Sequence, residues 1–161
     1  MKNILPLFFL FFSRFSIAQV NVVMPSEANT FYQNAMLTIK PGIKNIIEKN
    51  ANKLTRRRLN VDSLIKELHK IPLLHGGNEK DLEAITVLIL VQASRNADAD
   101  LKDLVIHMRH SNSEMKNEEE EENCKNTAAL LVENKSEIAQ SISVIMKKLS
   151  GSAEMVMDKF K

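Results

Sequence analysis

His107, His110 and Glu114 are the residues of this chain whose types and spacing come nearest to chemistry. On a helix the two histidines, three positions apart, project from one side, and the carboxylate follows four positions later. Two imidazoles and a carboxylate can hold zinc with one coordination position left open. The spacing departs from the His-Glu-x-x-His pattern of zinc hydrolases, which places histidines four apart with a general-base glutamate between them. Here Met108 and Arg109 fill the gap, and a neighbouring guanidinium opposes a bound cation. Two solvated histidines on a polar helix face account for the same residues more simply. Periplasmic zinc or copper binding through His107, His110 and Glu114 is therefore an alternative function rather than the leading one. His69 and His75 bracket Pro72 and add ligands only if the fold brings them near.

Other chemistries find less support. Cys124 is the only cysteine, so no intramolecular disulfide can form. It is either an unpaired surface thiol or half of an intermolecular disulfide. The acidic residues before it raise a thiol pKa, the wrong direction for a nucleophile. No Gly-x-Ser-x-Gly elbow occurs, and the four glycines form no phosphate-cradling loop. Asn96, Asp98 and Asp100 imitate the opening of a calcium loop, but Leu101 and His107 stand where glycine and glutamate are required; a helix start explains them at lower cost. Asn134-Lys135-Ser136 matches a glycosylation sequon of eukaryotic secretory routes. The methionines are scattered, as gap-filling core residues are. Arg56, Arg57 and Arg58 form the densest basic cluster, suited to an interaction patch or to an anionic surface, or simply to a solvated helix end. Nothing here makes a catalytic set or a cofactor site, and the expectation is a protein that is not an enzyme.

Where the protein works is read from its first residues. Lys2, the apolar run from Ile4 to Phe12, and Ser16-Ile17-Ala18 compose a cleavable signal peptide, with the cut expected between Ala18 and Gln19. The run is too short for a spanning helix, which needs about 20 apolar residues. Removing Lys2 and Arg14 takes the formal charge from +2 to zero, with 20 basic and 20 acidic residues left. Nucleic acid is accordingly a poor partner. The neutrality hides an uneven distribution: residues 40–75 carry nine basic and three acidic side chains, residues 76–122 five and twelve.

The remaining pattern is helical throughout. Ser26 is placed to cap a first helix bearing Ala28, Phe31, Ala35 and Ile39 on one face, and Pro41-Gly42 interrupts it. Ile43, Ile46, Ile47, Ala51 and Leu54 mark a second helix. A third, capped by Asn60 or Asp62, carries Leu64, Ile65, Leu68 and Ile71 and ends at Pro72. Asn78 caps a fourth, whose run Ala84–Val91 is apolar on every side and reads as the buried central helix. Ser94-Arg95-Asn96 is a polar interruption at which a break or bend is expected, with one continuous helix as the alternative. Residues 117–123 hold five consecutive glutamates, as a solvated helix end or a linker. Beyond them Ala128, Leu131, Ile138, Ile142, Ile145 and Leu149 define a long amphipathic helix, and Ser152 can cap a short closing one.

These features predict an all-α antiparallel bundle of five to seven helices behind a cleaved signal peptide. The expected organisation is a signal at 1–18, a helical core over 19–116, an acidic linker at 117–123, and C-terminal helices over 124–161 that pack on the core or stand semi-independent. A signal ending in Ala18-Gln19, the run Ile85 to Val91, Gln92-Ala93-Ser94 and Asp98-Ala99-Asp100-Leu101-Lys102 together resemble secreted helical proteins of Bacteroidota that have no known activity. That resemblance implies a periplasmic or secreted setting. The leading function is thus protein–protein interaction in a bacterial envelope, with another envelope or secreted protein as partner. Peripheral binding to anionic membrane surfaces through the arginine cluster is a further alternative.

Overall fold

The computed structural model describes residues 24–55, 60–75, 77–111, 118–149 and 160, with the side chains of 109–111 and 118 outside that description. The segment 1–18 expected to be a signal peptide, Arg56, Arg57 and Arg58, and the closing helix expected from Ser152 lie outside the described residues. Within them the protein is all-helical: α1 (Ser26–Thr38), α2 (Pro41–Thr55), α3 (Val61–His69), a 3-10 turn (Pro72–Leu74), α4 (Glu79–Ser111) and α5 (Glu118–Leu149).

The helix boundaries follow local chemistry. Pro41 opens α2, where its missing N–H costs nothing. Asn60 caps α3 by accepting from the Ser63 N–H at 2.8 Å. At α4 the cap is reciprocal: the Asp81 N–H donates to Asn78 Oδ1 at 2.9 Å, and the Asn78 N–H to Asp81 Oδ2 at 2.8 Å. This is a capping box with aspartate in the usual glutamate position, satisfying two otherwise orphaned donors. Ser26 does not cap α1; it is the first helical residue, preceded by Pro25, and no side chain caps that helix.

α4 is the axis of the molecule and packs against each of the other four helices. Every residue from Asp81 to Val91 is buried, which explains a run without a polar face. Burying each Leu, Ile or Val side chain contributes about 1.5–3 kcal/mol. Ile43, Ile47, Leu68, Leu82, Ile138, Ile142 and Leu149 close round it from α2, α3, α4 itself and α5. Phe160 is buried in the same core, and its carbonyl accepts from the Lys40 N–H at 2.9 Å, fastening the chain's end to the α1–α2 junction.

The interruption expected at Ser94-Arg95-Asn96 does not occur. α4 runs unbroken for 33 residues because these polar side chains find partners on neighbouring helices: Arg95 on Asn29 at 2.6 Å and Asn96 on Asn52 at 2.7 Å. The glutamate run is helical from Glu118 onward and forms the first turns of α5, where carboxylates complement the positive end of the helix dipole. Among the contacts that tie α4 to α5 are the ion pairs of Glu83 with Lys148 at 3.3 Å and of Asp98 with Lys135, and the approach of His107 to Glu120 at 3.5 Å. As residue numbers rise along α4 they fall along α5. Among the described residues no helix is long and apolar enough to cross a membrane.

Candidate functional site

The main core ends at Ala93 on α4 and begins again at Ile138 on α5. Beyond those points the two helices continue as a pair, with Ala97, Cys124 and Leu131 buried outside the main core. Leu101, Leu104, Val105 and Met108 of α4 are only half-buried, although their spacing is that of a core-facing stripe. Ile106, two positions from both Leu104 and Met108, is turned to another side of the helix and is 42% exposed. A groove of about 560 Å³ runs between the two helices here, lined by Asp100, Asp103, Leu104 and His107 from α4 and by Thr127, Leu130 and Leu131 from α5. Three leucines form its aliphatic part, and its α4 side carries two carboxylates and an imidazole.

His107 lies on this groove and pairs with Glu120 across the helices, both side chains being about half exposed. The side chain of His110, and Glu114 altogether, lie outside the described residues. Among the described residues no three of His, Cys, Asp and Glu are gathered to hold a metal ion. His69 and His75 are exposed. The Asn96–Asp100 stretch is mid-helix rather than a helix start, and residues two apart on a helix point to nearly opposite sides, so their oxygens cannot converge on calcium. Asn96 and Asp98 are engaged instead with Asn52 and Lys135.

Cys124 is buried and free, on the inner face of α5 rather than at the surface. Pairing with a second chain would require this stretch to open. Asn134 is 1% exposed, so the sequon it belongs to is closed to a glycosylating enzyme once the chain has folded. Its amide nitrogen donates to the Thr55 carbonyl at 3.3 Å, while Oδ1 is buried without a hydrogen-bond partner.

A second constellation was not legible as a unit in the sequence. The Tyr32 hydroxyl donates to Gln92 Oε1, Gln92 Nε2 to Asn96 Oδ1 at 2.8 Å, and Asn96 Nδ2 to Asn52 Oδ1 at 2.7 Å. The Arg95 guanidinium lies 4.3 Å from the Tyr32 ring centroid and donates to Asn29. This polar chain stitches α1 and α2 to α4 at the end of the main core. The signal that points to it is spacing: Gln92, Arg95 and Asn96 share one face of α4, and Asn29 and Tyr32 share one of α1. The cation–π contact contributes about 0.5–2 kcal/mol depending on how far it is desolvated.

Burial pushes the Tyr32 phenol above its ordinary value of 10.0, and Glu48 nearby pushes the same way, while Arg95 opposes them. The folded chain therefore holds this proton to higher pH than the unfolded chain does. The associated stability is fully present below about pH 10 and is lost as pH rises through the folded-state value. Tyr32 is the only tyrosine and there is no tryptophan, so tyrosinate absorbance reads it alone. A native midpoint above 10 that returns to about 10 in urea is expected; a native midpoint at or below 10 contradicts the geometry. Tyr32→Phe should flatten the alkaline stability slope.

No protein-family model, curated protein or solved structure matches this chain.

Proposed function

We propose that the protein is an exported, non-enzymatic antiparallel helix bundle that acts in a bacterial envelope by binding another envelope or secreted protein through the far end of its α4–α5 pair. The observation that carries this reading is the groove between α4 and α5 lined by Leu104, Leu130 and Leu131, with Leu101, Val105 and Met108 of the same stretch of α4 only half-buried. Nearer its start the apolar residues of α4 are fully buried, and α1, α2 and α3 pack on that helix. An open aliphatic groove along two packed helices is what a partner helix completes. The opposed residue order of the three α4–α5 contacts supports the antiparallel arrangement. The signal-like residues 1–18 support export.

A photoreactive residue placed at Thr127, an exposed position lining the groove, in the cells that make the protein, tests this. A discrete adduct is expected on the exported chain beginning at Gln19, and it should weaken when Asp103 is changed to lysine. An adduct formed on a chain still beginning at Met1 removes the export half of the reading; no adduct removes the binding half.

A further inference from the structure

We infer that the groove between α4 and α5 takes a cationic amphipathic helix, one with an aliphatic stripe flanked by lysine or arginine. The inference rests on the protein-binding reading above and names the class of partner. Shape supplies the first half. The groove has room for several aliphatic side chains between Leu104, Leu130 and Leu131. The groove follows α4 from Asp100 to His107, about 10 Å at 1.5 Å per residue, which matches two turns of a partner helix.

Charge supplies the second half. The stretches 98–111 and 118–131 together carry eight acidic residues, Asp98, Asp100, Asp103 and Glu118–Glu122, against three basic ones, Lys102, Arg109 and Lys125; Asp98 is paired with Lys135 and Glu121 with Lys125. Asp100 and Asp103 line the groove itself, and Glu120 stands beside His107 at its end. A net negative charge around an apolar groove favours a cationic partner and steers its approach. It also disfavours a second copy of this chain, which would bring two such acidic ends together at like-charge cost. The contact is small beside a standard interface of about 800 Å² per partner, so a reversible association is expected.

The test uses the full mature chain and two synthetic helical peptides of about 18 residues, long enough to hold a helix. One contains leucine and lysine with the leucines on one face; in the other every lysine is glutamate. Titration calorimetry should show one-to-one binding of the leucine–lysine peptide. The leucine–glutamate peptide should bind at least about tenfold more weakly, and raising salt toward 1 M should narrow that gap. Asp103→Lys, an exposed substitution that leaves the core untouched, should weaken the cationic peptide several-fold. Leu130→Ser should weaken both peptides, with circular dichroism confirming that the helices persist. Equal binding of the two peptides, no binding of either, or indifference to Asp103→Lys overturns the inference. A stable dimer in sedimentation that the cationic peptide fails to dissociate assigns the groove to a second copy and overturns it as well. If the peptide fails while the probe at Thr127 still crosslinks to a partner, the cationic-helix class falls and the protein-binding reading stands.

Discussion

Leu88→Ala is expected to lower the unfolding free energy by about 2–5 kcal/mol, the range for a leucine removed from a site that cannot collapse. Leu88 has no exposed surface and sits in the middle of the buried length of α4. Ile85 and Ile89 of the same helix, Ile47 of α2 and Ile142 of α5 are equally covered in the same core, so no flexible side chain from solvent is at hand to fill the space. Set against a typical total of about 5–15 kcal/mol, this single change removes a large share of the stability. The control is Leu37→Ala on α1, where the leucine is 81% exposed and the expected effect is within about 0.5 kcal/mol. Urea denaturation followed by circular dichroism separates the two, and an unchanged denaturant slope assigns the loss to the folded state. Equal small effects at both positions would place Leu88 at a surface and contradict the central position of α4.

The second large effect concerns Asn134. Asn134→Asp puts a carboxyl at a site 1% exposed, beside the Thr55 carbonyl that now accepts from the amide. A carboxylate there has no proton to donate, repels that carbonyl and lies in a poorly solvated place. Burial of this kind raises a carboxyl pKa by up to about 3–5 units, and at about 1.4 kcal/mol per unit the variant should lose several kcal/mol near neutrality. The sign fixes the pH window. Because the folded-state pKa is raised, the penalty is absent below the unfolded value near pH 4, where the protonated carboxyl can donate to Thr55, and it grows as pH rises toward the folded value. Melting temperatures of variant and parent should therefore converge near pH 4 and diverge by pH 7. A gap independent of pH would mean that the side chain reaches water, contrary to the packing of α5 on α2. Asn134→Leu reports on the orphaned Oδ1: removing a buried unsatisfied acceptor offsets the lost bond to Thr55, and the expected change is small.

What the sequence makes legible is local. The caps at Asn60 and Asn78 are short-range hydrogen bonds between residues three apart, so spacing alone finds them. The Ala84–Val91 run reads as central because its lack of a polar face leaves no side for water. The continuity of α4 was hidden because Ser94-Arg95-Asn96 looks like a breaker until Asn29, Tyr32 and Asn52 are brought alongside, and those contacts span 44 to 66 positions. Asn134 shows the same limit from the other side: a polar residue within a sequon reads as surface, yet it falls on the buried stripe with Leu131 and Ile138. Cys124 continues that stripe, seven positions before Leu131, and its burial was recoverable from periodicity although its polar neighbours conceal it. The groove between α4 and α5 was the least legible feature. Leu101, Leu104, Val105 and Met108 read as core, and only the arrangement of the other helices shows them half-covered.

The most direct test of the central claim compares crosslinks from two exposed positions, Thr127 on the groove and Leu37 on α1, in the cells that make the protein. The account predicts one discrete adduct from Thr127, weakened by Asp103→Lys, and none of the same mass from Leu37. Matching adducts from both positions, or none from Thr127, would contradict the assignment of binding to the far end of α4 and α5.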